Sequence, residues 1–177
     1  LDNTRLQMVG EKFSVNTFTS YEELFDKAQP DAVSITVPTA EHEKGATYAL
    51  EKNTHVLVEK PIAATVDEGK RLIDLAKKKK CQLMVGHIIR FNPAMQSLKA
   101  RLDNGDLGKI FQIFCRRAGP FPARIRDVGV VVDLAPHDVD VMRYLTGLNP
   151  MRVFAETEQQ IHTDHEDLLF GLLRFPE

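Results

Sequence analysis

Three groups of side chains in this sequence are of the types that move protons or hold anions. Lys60 stands between Glu59 and Pro61, directly after the apolar run His55 to Val58. Proline fixes its own φ and biases the residue before it toward extended geometry, so the Lys60 ammonium is held in place. A lysine in a partly dry crevice stabilises a developing alkoxide or exchanges a proton. A solvated lysine paired with Glu59 at a strand end has the same tripeptide, which alone does not separate the two readings. Asp133, His137 and Asp140 follow at i, i+4 and i+7, one face of a helix if the helix runs through them. A histidine between two carboxylates has its tautomer fixed and its imidazolium stabilised, as a general acid/base requires. Pro136 restricts that helix: proline is tolerated only in a first turn, which makes Asp133 the expected N-cap, and the plainer reading is then a cap beside a helix-end histidine. A metal at this spacing lacks a third ligand, and none is expected. Finally, Arg116, Arg117, Arg124 and Arg126 crowd a loop with Gly119, Pro120 and Pro122. Their guanidinium forks suit phosphate and carboxylate, so they either grip an anionic substrate or form a solvated basic loop with local ion pairs.

The elements that must position these groups alternate between short β-branched runs and longer amphipathic ones, as βαβ units around a parallel sheet do. Ala32 to Val37 reads as a buried strand, followed by a helix with Ala46, Ala49 and Leu50 on one face and Thr39 as its N-cap. His55 to Val58 is the second strand. Thr65 and Glu68 form a capping-box pattern, after which Gly69, Leu72, Ile73 and Ala76 line one face up to the basic turn Lys77 to Lys80. Gln82 to Val85 is the third strand. The three strands empty into the loops Pro38 to His42, Glu59 to Pro61 and Gly86 to Pro93, and in a parallel sheet those loops share the edge where ligands bind. Arg90 in the last loop is either a ligand contact or an interdomain ion-pair residue. From Pro93 the texture changes: a helix to about Asn104, a turn at Gly105 and Gly108, a strand through Ile110, Ile113 and Phe114, a helical stretch ending at Gly147, and strands near Arg152 to Thr157 and Leu168 to Arg174. The expected class is α/β: a partial Rossmann-type parallel sheet over residues 1–92, then part of an α+β open-sheet domain over residues 93–177.

Composition narrows the function. With 177 residues, 43% of them hydrophobic, the chain can build a packed core. A net charge of −2 with both signs interspersed provides no field for nucleic acid, and no apolar run is long enough for a membrane span. Cys81 and Cys115 lie far apart, a pattern that fits a reducing cytoplasm better than a disulfide framework. A helical pattern through Leu6, Val9 and Phe13 follows Leu1 with no strand in front, and Glu177 falls inside a strand pattern, so both ends read as cut.

Taken together, Val37-Pro38-Thr39 with His42, Val56 to Pro61, Gly86-His87 through Arg90-Phe91-Asn92-Pro93, and Asp133 with His137 and Asp140 resemble the glucose-fructose oxidoreductase/inositol dehydrogenase/MocA family over essentially the whole chain. The resemblance implies a dehydrogenase with NAD or NADP as cofactor and a small-molecule sugar or nucleotide sugar as substrate. It also implies homo-oligomerisation through the C-terminal sheet. Pro38, Thr39, His42, Glu59 and Lys60, with His87 and Arg90, take the positions of cofactor contacts. Lys60, Asp133 and His137 match the family's catalytic lysine and aspartate-histidine pair, and Arg117, Arg124 and Arg126 with Asp133 and His137 fall on the substrate side. The run from Arg126 to Asp138 looks most like members that oxidise the C3 hydroxyl of UDP-N-acetylhexosamines. One departure stands out: the family's GxGxxG turn, which binds pyrophosphate at a helix N-terminus, is absent, and roughly thirty to forty residues are expected in front of Leu1 to supply it. A neutral-sugar or cyclitol dehydrogenase, with structural loop arginines, is the near alternative. A non-catalytic regulator of the same fold is the distant one.

Overall fold

The computed structural model describes residues 2–120, 128–161 and 164–176. Its centre is a three-stranded parallel sheet in which β1 (Ala32–Ile35), β2 (His55–Val58) and β3 (Leu83–Val85) pair in sequence order. The register sets Val33 against Val56, Ile35 against Val58 and Val58 against Val85. Because side chains alternate along a strand, these valines and isoleucine share one face. Two crossover helices, α3 (His42–Glu51) and α4 (Val66–Lys79), supply Ala46, Ala49, Leu50, Leu72 and Ala76 to the same buried cluster. On the other face Ala32, Ser34, His55 and Met84 are exposed, and a shallow groove follows β1 and β2. The expectation of a buried strand from Ala32 to Val37 is therefore corrected twice: β1 is covered on one face only, and it ends at Ile35. It ends there because the Val37 carbonyl turns toward the His42 ring, 2.9 Å from Nε2, and Pro38 has no N–H to continue a ladder.

Local chemistry explains the helix ends. At α4 the Thr65 side chain accepts from Glu68 N, and the Glu68 carboxylate accepts from Thr65 N, at 3.3 and 3.0 Å. Gly69, Leu72 and Ala76 face the core as expected, but Ile73 is 42% exposed. Thr39 is not an N-cap: it opens a one-turn 3₁₀ helix, Thr39–Glu41, and α3 begins behind it with Glu41 at the cap position. Ahead of the sheet lie α1 (Asn3–Phe13), capped by Asp2, and α2 (Tyr21–Ala28), capped by Ser20 accepting from Glu23 N.

After β3 a 3₁₀ turn, Ile88–Phe91, leads into α5 (Pro93–Asp103), whose Asn92 cap accepts from Ala94 N at 2.9 Å. Gly105 and Gly108 take the positive φ values of +81° and +66° that the following turn needs. No strand forms through Ile110, Ile113 and Phe114. A strand requires a ladder partner, and among the described residues β4 (Arg152–Glu158) and β5 (Leu168–Arg174) pair with each other, antiparallel, and with no third strand, leaving Phe111 and Phe114 exposed. The helical stretch before Gly147 is two pieces, α6 (Val130–Asp133) and α7 (Ala135–Thr146), with a break at Leu134. Pro136 causes the break, since its ring would clash with the carbonyl four residues back, at Val132, in one continuous helix. Asp133 thus ends α6 rather than capping α7. Among the described residues no helix is long and apolar enough to cross a membrane.

Candidate active site

Parallel pairing carries the loops after β1, β2 and β3 to one edge of the sheet, and the end of α6 and the start of α7 meet that edge from the second half of the chain. Lys60 leaves β2 there. Its Nζ donates to the Asp133 carboxylate at 2.7 Å and to the Asp133 main-chain oxygen at 2.6 Å, and both side chains are largely buried, at 15% and 17% exposure. An ammonium has three N–H donors, so two are fixed by Asp133 and one is left for an oxygen in the crevice. Glu59 does not pair with the Lys60 ammonium. Its carboxylate accepts from Lys60 N at 3.3 Å and lies against Gly86, where a Cβ would come within 3.0 Å of it. Glycine at this position lets the loops after β2 and β3 approach each other.

His137 sits in the first turn of α7, half-buried, its N–H bonded to the Leu134 carbonyl at 3.1 Å. Burial pushes its ring below the ordinary histidine value, the charges of Lys60 and Arg117 add to that, and Asp133 and Asp138 pull the other way. The ring is therefore neutral, and able to accept a proton, at neutral pH. The expected pairing of Asp133 with His137 is corrected: among the described residues no hydrogen bond joins them, because the Asp133 carboxylate is engaged by Lys60. Lys60 and His137 are instead coupled through charge, at one place in the fold.

The remaining expected site residues divide. Pro38 is exposed, and Thr39 half-buried, on the loop after β1. His42 is only 1% exposed, and its two ring nitrogens lie 2.7 and 2.9 Å from the carbonyls of Pro61 and Val37, so it braces the first two loops and has no polar atom to offer a cofactor. His87 Nδ1 is buried without a hydrogen bond, 3.7 Å from the Asp140 carboxylate. Arg90 is no free ligand contact either: Nε and Nη2 donate to the two Asp140 oxygens at 2.8 and 2.5 Å. Arg117 is likewise paired, donating to Asp138 at 2.9 and 3.3 Å, which raises its pKa further. Asp140, expected beside His137, is thus Arg90's partner. Arg124 and Arg126 lie outside the described residues. Arg90 thus follows the ion-pair alternative and Arg117 the local ion-pair alternative; their partners, Asp140 and Asp138, carry no local signal that names them.

The edge fits the nicotinamide half of a dinucleotide: the Thr39 hydroxyl and the Glu59 carboxylate suit ribose hydroxyls, and the spare Lys60 N–H is left for one further oxygen beside them. The sequence has no GxG, so no phosphate cradle of that type stands among these residues.

Comparison with known proteins agrees with this architecture. Residues 2–87 match the oxidoreductase family described as having an NAD-binding Rossmann fold, and residues 95–177 match the GFO/IDH/MocA C-terminal domain. The chain is 34% identical over 151 residues to UDP-N-acetylglucosamine 3-dehydrogenase of Acidithiobacillus ferrooxidans, covering 85% of this chain and 46% of that protein. It is 32% identical over 149 residues to scyllo-inositol 2-dehydrogenase (NAD(+)) of Bacillus subtilis, covering 81% and 43%. A solved structure of the Acidithiobacillus ferrooxidans enzyme superposes with a TM-score of 0.85 at 32% identity, over 97% of this chain and 55% of that one. The chain spans about half the length of the curated relatives it matches.

Proposed function

The chain belongs to the Gfo/Idh/MocA oxidoreductase family, and from that premise we propose that the protein carrying it oxidises a secondary hydroxyl of a sugar with a nicotinamide cofactor, NAD or NADP. The observation that carries this reading is the largely buried Lys60–Asp133 pair, with the half-buried His137, whose pKa burial lowers, close enough to feel the Lys60 charge. The nicotinamide, when bound, supplies the hydride acceptor. His137 takes the hydroxyl proton as general base, and its depressed pKa keeps it able to do so at neutral pH. The spare N–H of Lys60 holds the oxygen as negative charge develops on it, and Asp133 fixes the direction of that N–H. Thr39 and Glu59 would hold the nicotinamide ribose, and Pro38 would lie against it. The change from cofactor unit to substrate unit falls between Asn92 and Pro93.

Within this reading the substrate is a UDP-N-acetylhexosamine, with Arg117, Arg124 and Arg126 on the diphosphate side. The Acidithiobacillus relative supports it. The inositol relatives and the pairing of Arg117 with Asp138 favour a second reading, a neutral cyclitol, in which that arginine is structural. We further propose a homo-oligomer joined through the β4–β5 sheet, whose Val153, Phe154, Phe170 and Leu172 are exposed, and a cytoplasmic location in keeping with two free cysteines. The full-length protein should reduce NAD or NADP with UDP-N-acetylglucosamine and not with myo-inositol. The reverse result selects the cyclitol reading, and reduction with neither, nor with other sugars, refutes the dehydrogenase assignment.

A further inference from the structure

We propose that Arg90 is a positioning residue whose forked pair with Asp140 sets the rotation of α7, and so the direction of His137, and that His87 is poised to take its place. The inference rests on the reading of Lys60 and His137 given above.

The geometry requires a device of this kind. The Lys60–Asp133 contact lies on α6, ahead of the break at Leu134, so it does not fix how α7 is turned about its own axis. Arg117 reaches α7 at Asp138, but Arg117 belongs to a loop of the same half of the chain. Among the described residues, the side-chain hydrogen bonds that tie α7 to the parallel-sheet half run from Arg90, in the turn after β3, to Asp140. Asp140 is 4% exposed, and a buried carboxylate must be paired, so the contact is compulsory. A guanidinium fork on two carboxylate oxygens also fixes a plane, which a point charge does not. His137 precedes Asp140 by three residues on the same helix face, so fixing one fixes the other. The Arg90 guanidinium lies 5.5 Å from the centre of the Tyr144 ring, one turn further along α7.

His87 gives the arrangement a second state. Its Nδ1 is buried, unbonded and 3.7 Å from the Asp140 oxygen that Arg90 Nε occupies. The charged and titratable groups facing it are Asp140 and Arg143 on α7 and Arg90 on its own turn, with Tyr144 beyond Arg90. Burial opposes an imidazolium there most strongly, Asp140 favours it, and the Arg90 and Arg143 charges add to the opposition, so the ring is held below the ordinary histidine value. Removing the Arg90 charge leaves Asp140 in need of a cation, and His87 supplies one by taking up a proton.

In the full-length protein, Arg90→Gln should lower kcat at least tenfold at pH 8, with KM changed far less, and regain part of the loss as pH falls toward 6. Arg90→Lys, with the charge but not the fork, should fall between the two. Arg90→Gln with His87→Asn should show no recovery at low pH. Histidine-ring NMR of the cofactor-free protein gives a readout without turnover: in Arg90→Gln, His87 should titrate at higher pH than in wild type. The proposal is overturned if Arg90→Gln and Asp140→Asn are folded and turn over within twofold of wild type, or if His87 titrates unchanged. Lys60→Met separates the two levels. Normal turnover in that variant removes the reading of the site, whereas its loss alongside normal Arg90→Gln activity removes this inference alone.

Discussion

Lys60 and Asp133 are separated by 73 positions, and nothing in either local sequence says that they touch. What could be read was the type of residue each strand end delivers and the order of those residues; the partners could not, because a buried carboxylate pairs with whichever cation the fold brings beside it. Asp133 went to Lys60 and Asp140 to Arg90, which leaves His137 governed by burial and by charges without a direct carboxylate bond. That arrangement fixes the sign of its pH response. A histidine whose folded pKa lies below its unfolded value favours the neutral ring, so its contribution to stability is present above about pH 6.5 and is lost as pH falls through the depressed native value. The acid limb of kcat/KM should accordingly have its midpoint below pH 6.5. In Lys60→Met, turnover should drop by about a hundredfold or more, the range usual for losing an oxyanion partner. The His137 ring should then titrate at higher pH, since a repelling charge is gone. Titration of His137 by NMR checks this, and an unchanged value would mean that Lys60 does not act on it.

Elements with a local chemical signature were legible, and those defined by distant partners were not. The Thr65–Glu68 box, the Asn92 cap before Pro93 and the Gly147 stop are written within a few residues of where they act. Ser20 and Glu23 carry the same kind of signal for α2, a helix that the strand-centred reading passed over. No strand forms through Ile113 because a β-run has no stability without a neighbour, and Pro136 is the first-turn proline its chemistry requires, while the break it causes at Leu134 has no signal of its own. Helix faces are resolved no more finely than about one residue by pattern alone, and α4 shows the limit: Leu72 is fully buried while adjacent Ile73 is 42% exposed. Leu72→Ala should therefore cost about 2–5 kcal/mol, and Ile73→Ala less than about 1 kcal/mol. Urea unfolding of the two variants tests the assignment, and equal losses would place the core on the wrong side of the helix.

At the scale of the whole molecule, β1 forms one margin of its sheet with an uncovered face that includes Ala32 and Ser34. Open strand margins template pairing with other chains, so the 177-residue polypeptide expressed alone should self-associate in sedimentation experiments, and Ser34→Lys should reduce it; a monomer at all concentrations would contradict this. The family's two units and their order could be read from the sequence, and so could an open margin at the strand that begins at Ala32; which of that strand's faces is covered could not, since that depends on what packs against it. The buried apolar cluster runs from Ile35 to Ala76, within the stretch that matches the NAD-binding family, while the proposed catalytic groups are joined across to Asp133 and Asp140 by ion pairs from Lys60 and Arg90. Warming should therefore disassemble the catalytic groups before it melts the sheet that carries half of them. In the full-length enzyme, activity should fade reversibly several degrees below the loss of far-ultraviolet ellipticity, and coincident midpoints would mean that both halves unfold as one cooperative body.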